Sequence, residues 1–248
     1  MAGHSQFKNI MHRKGAQDAK RAKIFTKIIR ELTVAAREGG SDPHSNSRLK
    51  SAMLSARESN MPKDTMDRAI KRGEGGEDDA NYEEIRYEGY GPGGVAVLVE
   101  CLTDNRNRTA AEVRSTFTKC GGNFGETGSV SFMFDHLGLV RYPEKTASFD
   151  EMFEVAVELG AEDVKIEEGF YEIYSASDSF SAVRDGLIEK FGDPESARLT
   201  WIPKTITALS GDEAKSYLKF MDTLEDNDDV QSVFDNGDVP ESLMAEFT

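Results

Sequence analysis

The chain has 248 residues, 38% of them apolar, with a formal net charge of −15 and two cysteines. Such a composition supports folded cores and excludes a disordered chain or a disulfide scaffold. The longest unbroken apolar run, Val95 to Val99, is far too short for a membrane-spanning helix, which needs about 18 residues.

The first thirty residues are basic but contain no apolar stretch of the kind a secretory leader carries, so a cytoplasmic protein is expected. Cys101 and Cys120 belong to no CxxC pattern and read as reduced core thiols. Charge is segregated along the chain. Residues 1–76 hold 16 Lys plus Arg against 8 Asp plus Glu, a net of +8, while residues 77–248 carry −23. A basic head on an acidic body suits a polyanionic partner, because Lys and Arg displace counterions from phosphates. The plainer reading of a charge run is a solvated surface.

Through Gly15 the chain shows no apolar period, so residues 1–17 are expected to form a basic arm that orders on a polyanion, with Phe7 available to stack on a base. From Asp18 to Glu38, Ile24, Ile28 and Leu32 recur at helical spacing with lysines and arginines on the other faces. Pro43 reads as the first helical position of a second helix carrying Leu49, Met53 and Leu54. Pro62 opens a third carrying Met66 and Ile70 that stops at Gly73. These three helices define a helical domain over residues 18–76.

After an acidic linker near Glu77 to Asp79 the period changes. Val95 to Thr103 reads as a buried strand, followed by a helix from about Thr109 to Cys120 with a Thr109/Glu112 capping box and Ala110, Val113 and Phe117 facing inward. A strand is expected at Ser129 to Phe134. From Gly138 the order is strand, helix, two strands around a Glu168-Gly169 turn, helix and strand, a βαββαβ pattern that is ferredoxin-like. A helix from Gly211 to about Glu225 and a strand at Val230 to Phe234 then return to complete the sheet begun at Val95. The expected fold class is α+β with three domains: an N-terminal three-helix domain and two α/β ferredoxin-like domains, the third inserted into the second. Their boundaries are 18–76, 80–135 with 206–239, and 136–205.

No catalytic, metal or cofactor site emerges. Gly89 to Gly94 matches GxGxxG by letter but precedes a strand, where a dinucleotide fold needs it after one, so it reads as a turn with positive φ. Asp226, Asp228 and Asp229 lack the EF-hand glycine register, with Gln231 in its place, and read as a solvated loop. The four histidines fall at no metal spacing and no Ser or Cys sits in a nucleophile motif.

Two basic features remain as a candidate nucleic-acid interface. The first is Lys8, Arg13, Lys14, Lys20, Arg21, Lys23, Lys27 and Arg30, opposed in that stretch by Asp18 alone. The second is the segment Thr103 to Thr109, where Asn105, Arg106 and Arg108 stand at a helix start whose amides favour an anion. The same residues can also be read as a turn in which Asp104 and Asn105 cap amides while the arginines pair with acids.

The motifs Gly3-His4-Ser5, His12-Arg13-Lys14, Asp18-Ala19-Lys20-Arg21, Ile24-Phe25-Thr26-Lys27, Thr103 to Thr109, Gly128-Ser129-Val130 and Asp228-Asp229-Val230-Gln231 occur in this order along the whole chain. By these the chain resembles the YebC family, whose mitochondrial relatives are translational activators of cytochrome c oxidase. It departs at Gln6-Phe7-Lys8, where the family pattern is Lys-Trp-Ala; the aromatic is kept. The resemblance implies the same three-domain architecture, no enzymatic activity, and one of two roles. These are a DNA-binding transcriptional regulator, or a ribosome-associated translation factor that binds ribosomal RNA and eases synthesis of proline-rich stretches. The expected partner is therefore DNA or ribosomal RNA, with no membrane and a monomeric protein.

Overall fold

The computed structural model describes residues 17–75, 81–240 and Leu243, with backbone alone for 17–20. In chain order, α1 (Gln17–Gly39), α2 (Ser47–Glu58) and α3 (Lys63–Gly75) precede β1 (Glu83–Tyr90), β2 (Ala96–Thr103), α4 (Arg106–Lys119) and β3 (Asn123–Phe124). Next come β4 (Phe134–Pro143), α5 (Phe149–Glu158), β5 (Asp163–Glu167), β6 (Phe170–Ala176), α6 (Phe180–Phe191) and β7 (Ser196–Pro203). The chain closes with β8 (Thr207–Ala208), α7 (Gly211–Glu225), β9 (Val230–Asp235) and β10 (Gly237–Asp238). The described residues gather into two compact units, one of 17–30, 81–135 and 202–240, the other of 31–75 and 136–201.

In the first unit a four-stranded sheet has the order β3-β1-β2-β9 and is antiparallel throughout. Its central strand β2 is apolar on both faces, as a strand with neighbours on each side requires. Val97, Val99 and Cys101 point into a core with Val113 and Phe117 of α4 and Tyr217, Phe220 and Met221 of α7. Phe117 and Phe220 meet edge to face at 4.9 Å. The β1–β2 turn places Gly93 and Gly94 at φ of 73° and 74°, and a Cβ on Gly93 would lie 2.3 Å from Leu209 Cδ2, so only glycine fits there. On β1, buried Glu88 accepts the backbone N–H groups of Val130 (3.0 Å) and Ser131 (2.9 Å). Burial opposes its charge. Those bonds, one from Gly128 and the nearby Arg86 outweigh it and hold the carboxyl below the usual range.

The second unit contains the βαββαβ run, with sheet order β5-β6-β4-β7 and antiparallel pairing of β4 and β5 with β6. Numbered by appearance, that order is 2-3-1-4, the ferredoxin-like arrangement. Val140, Tyr142 and Ile173 of the sheet pack with Met152 and Ala156 of α5 and Val183 and Leu187 of α6. The fully buried Arg184 on α6 is paired with Asp185 (2.8 Å) and donates to Ser51 Oγ (2.7 Å) and the Ser47 carbonyl (3.1 Å), which seats α2 on α6. The pairing of β2 with β9 across the whole βαββαβ run establishes the insertion, and the architecture is the α+β fold expected, with a helical region ahead of two α/β bodies.

Several local expectations are corrected. Residues Ser131–Met133 form a 3-10 turn rather than a strand, and β4 begins at Phe134 and runs unbroken past Leu139. Strand β1 was not anticipated at all. Pro43 sits in a turn, and α2 starts at Ser47 because the buried Asn46 caps it, its side-chain oxygen accepting from Leu49 N at 3.0 Å. Likewise α4 begins at Arg106 under an Asn105 cap and not at Thr109. Cys101 is buried as expected, while Cys120 is only half-buried.

In α3, Gly73 lies against α1: a Cβ there would come within 2.3 Å of the Thr33 carbonyl oxygen and 2.9 Å of Ala36 Cβ. Gly73→Ala is expected to lower the stability of this unit by about 1–3 kcal/mol through overpacking. A urea titration followed by fluorescence of Trp201, the single tryptophan and part of the same unit, checks it. Burial pushes the Cys101 thiol up to about 12. A disulfide-exchange reagent at pH 8 is therefore expected to label Cys120 first and Cys101 only on denaturation.

Candidate nucleic-acid interface

Helix α1 forms because its apolar residues keep a helical period, and its cations alternate with them. Lys8, Arg13 and Lys14 lie outside the described residues, as does the side chain of Lys20. Arg21 is exposed, its guanidinium 5.4 Å from the centre of the Phe25 ring. One turn further on, the cations meet the end of α7. Lys23 pairs with Asp226 at 2.9 Å and donates to the Asp226 carbonyl at 3.1 Å. Lys27 donates to the Glu225 carbonyl at 2.6 Å. Arg30 reaches the carbonyls of Leu102 (2.7 Å) and Asp228 (2.9 Å) and the carboxylate of Asp229 (2.9 Å). The last carbonyls of a helix have no partner within it and carry partial negative charge, so cations here complete the α7 terminus. Burial lowers the Lys27 pKa despite the neighbouring Glu225 and Asp228, which oppose the shift.

The second feature converges on the same carboxylate. Asn105 is the N-cap of α4, accepting from Arg108 N at 3.0 Å. The Arg108 guanidinium donates to Asp104 at 2.9 Å and to Asp229 at 2.7 Å. Beneath it, the hydroxyls of Thr109 (2.7 Å) and Thr103 (3.2 Å) donate to the same Asp229 oxygen, their own oxygens lying 2.8 Å apart. Arg106 is exposed, without a side-chain hydrogen bond or ion pair among the described residues, while its carbonyl accepts Tyr87 Oη at 3.4 Å.

Asp229 is 4% exposed, and four side chains from α1, β2 and α4 surround it. Burial opposes its ionisation, yet hydrogen bonds from Arg108, Thr109 and Arg30 with the Arg108 charge outweigh that and hold the carboxyl below the usual carboxylate range. This corrects the expectation of a solvated loop for Asp229. The EF-hand pattern was the wrong test; the sequence signal was an acid directly before the apolar Val230, at a strand start, where a side chain turns inward. The two threonines were missed too, although Thr103 and Thr109 bracket the segment. Of the two readings of residues 103–109, the capping and pairing one holds for Asn105 and Arg108, and Arg106 stays exposed.

Residues 5–76 match the family model for the TACO1/YebC protein N-terminal domain, and residues 82–237 match that for the TACO1/YebC second and third domain, a model named for transcriptional regulation. The chain belongs to the TACO1/YebC family. Among solved structures, a conserved hypothetical protein from Aquifex aeolicus is 44% identical, with 90% of this chain and 93% of that one covered and a TM-score of 0.77. TACO1/YebC is a regulatory family rather than one of known enzymes, and no helix among the described residues is long and apolar enough to cross a membrane.

The Asp229 cluster makes two measurable statements. Asp229→Asn leaves Arg30 and Arg108 facing a neutral amide and is expected to cost about 3 kcal/mol. Circular dichroism during urea unfolding reads that loss. Because the folded pKa is depressed, the contribution is complete above the unfolded value of about 3.9 and is lost as pH falls through the folded one. The acid side of the stability profile should accordingly be shallower in Asp229→Asn than in the wild type.

Proposed function

We propose that this protein is a nucleic-acid-binding regulator of gene expression, acting on DNA as a transcriptional regulator. The observation that carries the reading is the concentration of cations at the start of the chain, +8 over residues 1–76 against −23 in the remainder. The family's regulatory label supports it.

Among the described candidate cations, four bond to other parts of the chain. Lys23, Lys27, Arg30 and Arg108 bond to the α7 terminus and Asp229, so they hold α1 and α4 in place and act as positioning residues. Lys8, Arg13, Lys14, Lys20 and Arg21 lead into that anchored helix and supply the phosphate contacts, with Arg106 and the α4 N-terminus as a further one. The acidic charge of the remainder repels phosphate outside these basic positions.

If phosphate contacts dominate, log affinity falls with log salt at a slope of about −0.9 per neutralised phosphate on duplex DNA. Replacing Arg13, Lys14 and Arg21 together by Gln is expected to reduce that slope by about 2.7 with the melting temperature unchanged. Arg30→Gln is expected to lower the melting temperature instead. Fluorescence anisotropy on a labelled duplex at several salt concentrations measures the slope and thermal unfolding by circular dichroism the melting temperature, and a flat salt response overturns the proposal. Sucrose-gradient sedimentation of a DNase-treated lysate separates the targets: co-migration with ribosomal particles moves the role from DNA to ribosomal RNA and translation.

A further inference from the structure

Helix α5 has two apolar faces. Met152 and Ala156 are buried in the core of the third body, as an amphipathic helix requires. On the outside, Phe149, Phe153 and Val157 remain 40%, 45% and 50% exposed. Their spacing of four residues aligns them as a ridge about 12 Å long. The Phe149 and Phe153 rings stack with centroids 5.8 Å apart, and Phe149 meets the buried Tyr171 ring at 6.3 Å. Tyr171 pairs in register with Ile166 of the edge strand β5, a further exposed apolar side chain at 46%. Single exposed hydrophobics need no explanation, but a contiguous patch marks an interaction surface.

The rim tells what the occupant is. Helix α5 carries Asp150, Glu151, Glu154 and Glu158 and no basic residue in its ten positions. Residues 144–167 together hold eight acidic side chains against Lys145 and Lys165, and Lys165 is paired with Asp163 at 3.1 Å. An anionic membrane or nucleic acid is repelled by such a surface, and a second copy of the same face would set acid against acid. What fits an apolar ridge between acidic banks is a helical protein segment with an apolar stripe flanked by Lys and Arg.

We propose that the exposed face of α5, Phe149, Phe153 and Val157 with Ile166, docks a cationic amphipathic helix of a partner protein. The inference does not rest on the nucleic-acid reading, because its surface, sign of charge and partner all differ.

The test uses the full-length protein and a fluorescein-labelled 18-residue peptide of Leu and Lys patterned as an amphipathic helix, with a scrambled peptide of identical composition as control. Anisotropy is expected to show the patterned peptide binding at least tenfold more tightly than the scrambled one. The double substitution Phe153→Gln with Val157→Gln should weaken it at least tenfold at unchanged melting temperature. Glu154→Gln with Glu158→Gln, which leaves the packing untouched, should weaken binding and flatten its salt dependence. Equal binding of the two peptides, or an unaffected Phe153→Gln/Val157→Gln double variant, overturns the proposal. A concentration-dependent dimer in sedimentation velocity that Phe153→Gln abolishes overturns it in favour of a second copy as occupant.

Discussion

A single buried carboxylate organises much of the first unit. Asp229 stands where α7 ends and β9 begins, and ionising it away from water is costly unless every lone pair finds a donor. The donors come from three elements in two stretches of sequence: Arg30 on α1, and Thr103 at the end of β2 with Arg108 and Thr109 on α4. None of these elements can shift without stranding a charge. Beside this cluster, Lys23, Lys27 and Arg30 bond the carbonyls of Asp226, Glu225 and Asp228 at and just after the α7 terminus. The start of a helix rich in cations is thus held by its own charges.

Division of labour among like residues follows from position rather than type. The described Lys and Arg of the basic stretch differ by what α1 brings near them. From residue 23 onward they face carbonyls and carboxylates of the same chain. A run of cations along a chain is therefore not one uniform surface, and counting charges overstates how many are unengaged by the fold.

The architecture was largely legible, because periodicity survives where elements are long or buried. Strand β2, with Val95 to Val99 unbroken, and helix α4, with Val113 and Phe117, declare themselves. The βαββαβ run could be read from alternation and turns, and the need for more strands beside β2 pointed to the insertion. What failed was governed by contacts distant in sequence. Strand β1, Glu-Glu-Ile-Arg-Tyr-Glu-Gly-Tyr, has no apolar alternation, because Glu88 turns inward to bind the amides of Val130 and Ser131 rather than a hydrophobic core. Helix starts shifted because Asn46 and Asn105 cap where Pro43 and Thr109 had been favoured. Within the candidate site the cationic residues were legible and their internal partners were not, since nothing local reveals that Asp229 closes onto Arg30 from 199 positions away.

The seam of the insertion bears on the order in which the chain assembles. Strands β4 and β7 are neighbours in one sheet, and at their base the Lys204 amide donates to the Met133 carbonyl at 2.9 Å. The inserted body thus begins and ends one hydrogen bond apart. Once it has folded, the stretch separating β2 from β9 behaves as a short connection despite its length. The entropy of joining distant strands, which rises with loop length and slows the formation of long-range sheets, is thereby largely met beforehand. On a chain emerging from synthesis, the inserted body can close as soon as β7 has been made. The earlier sheet must wait for β9, which follows the inserted body in the chain.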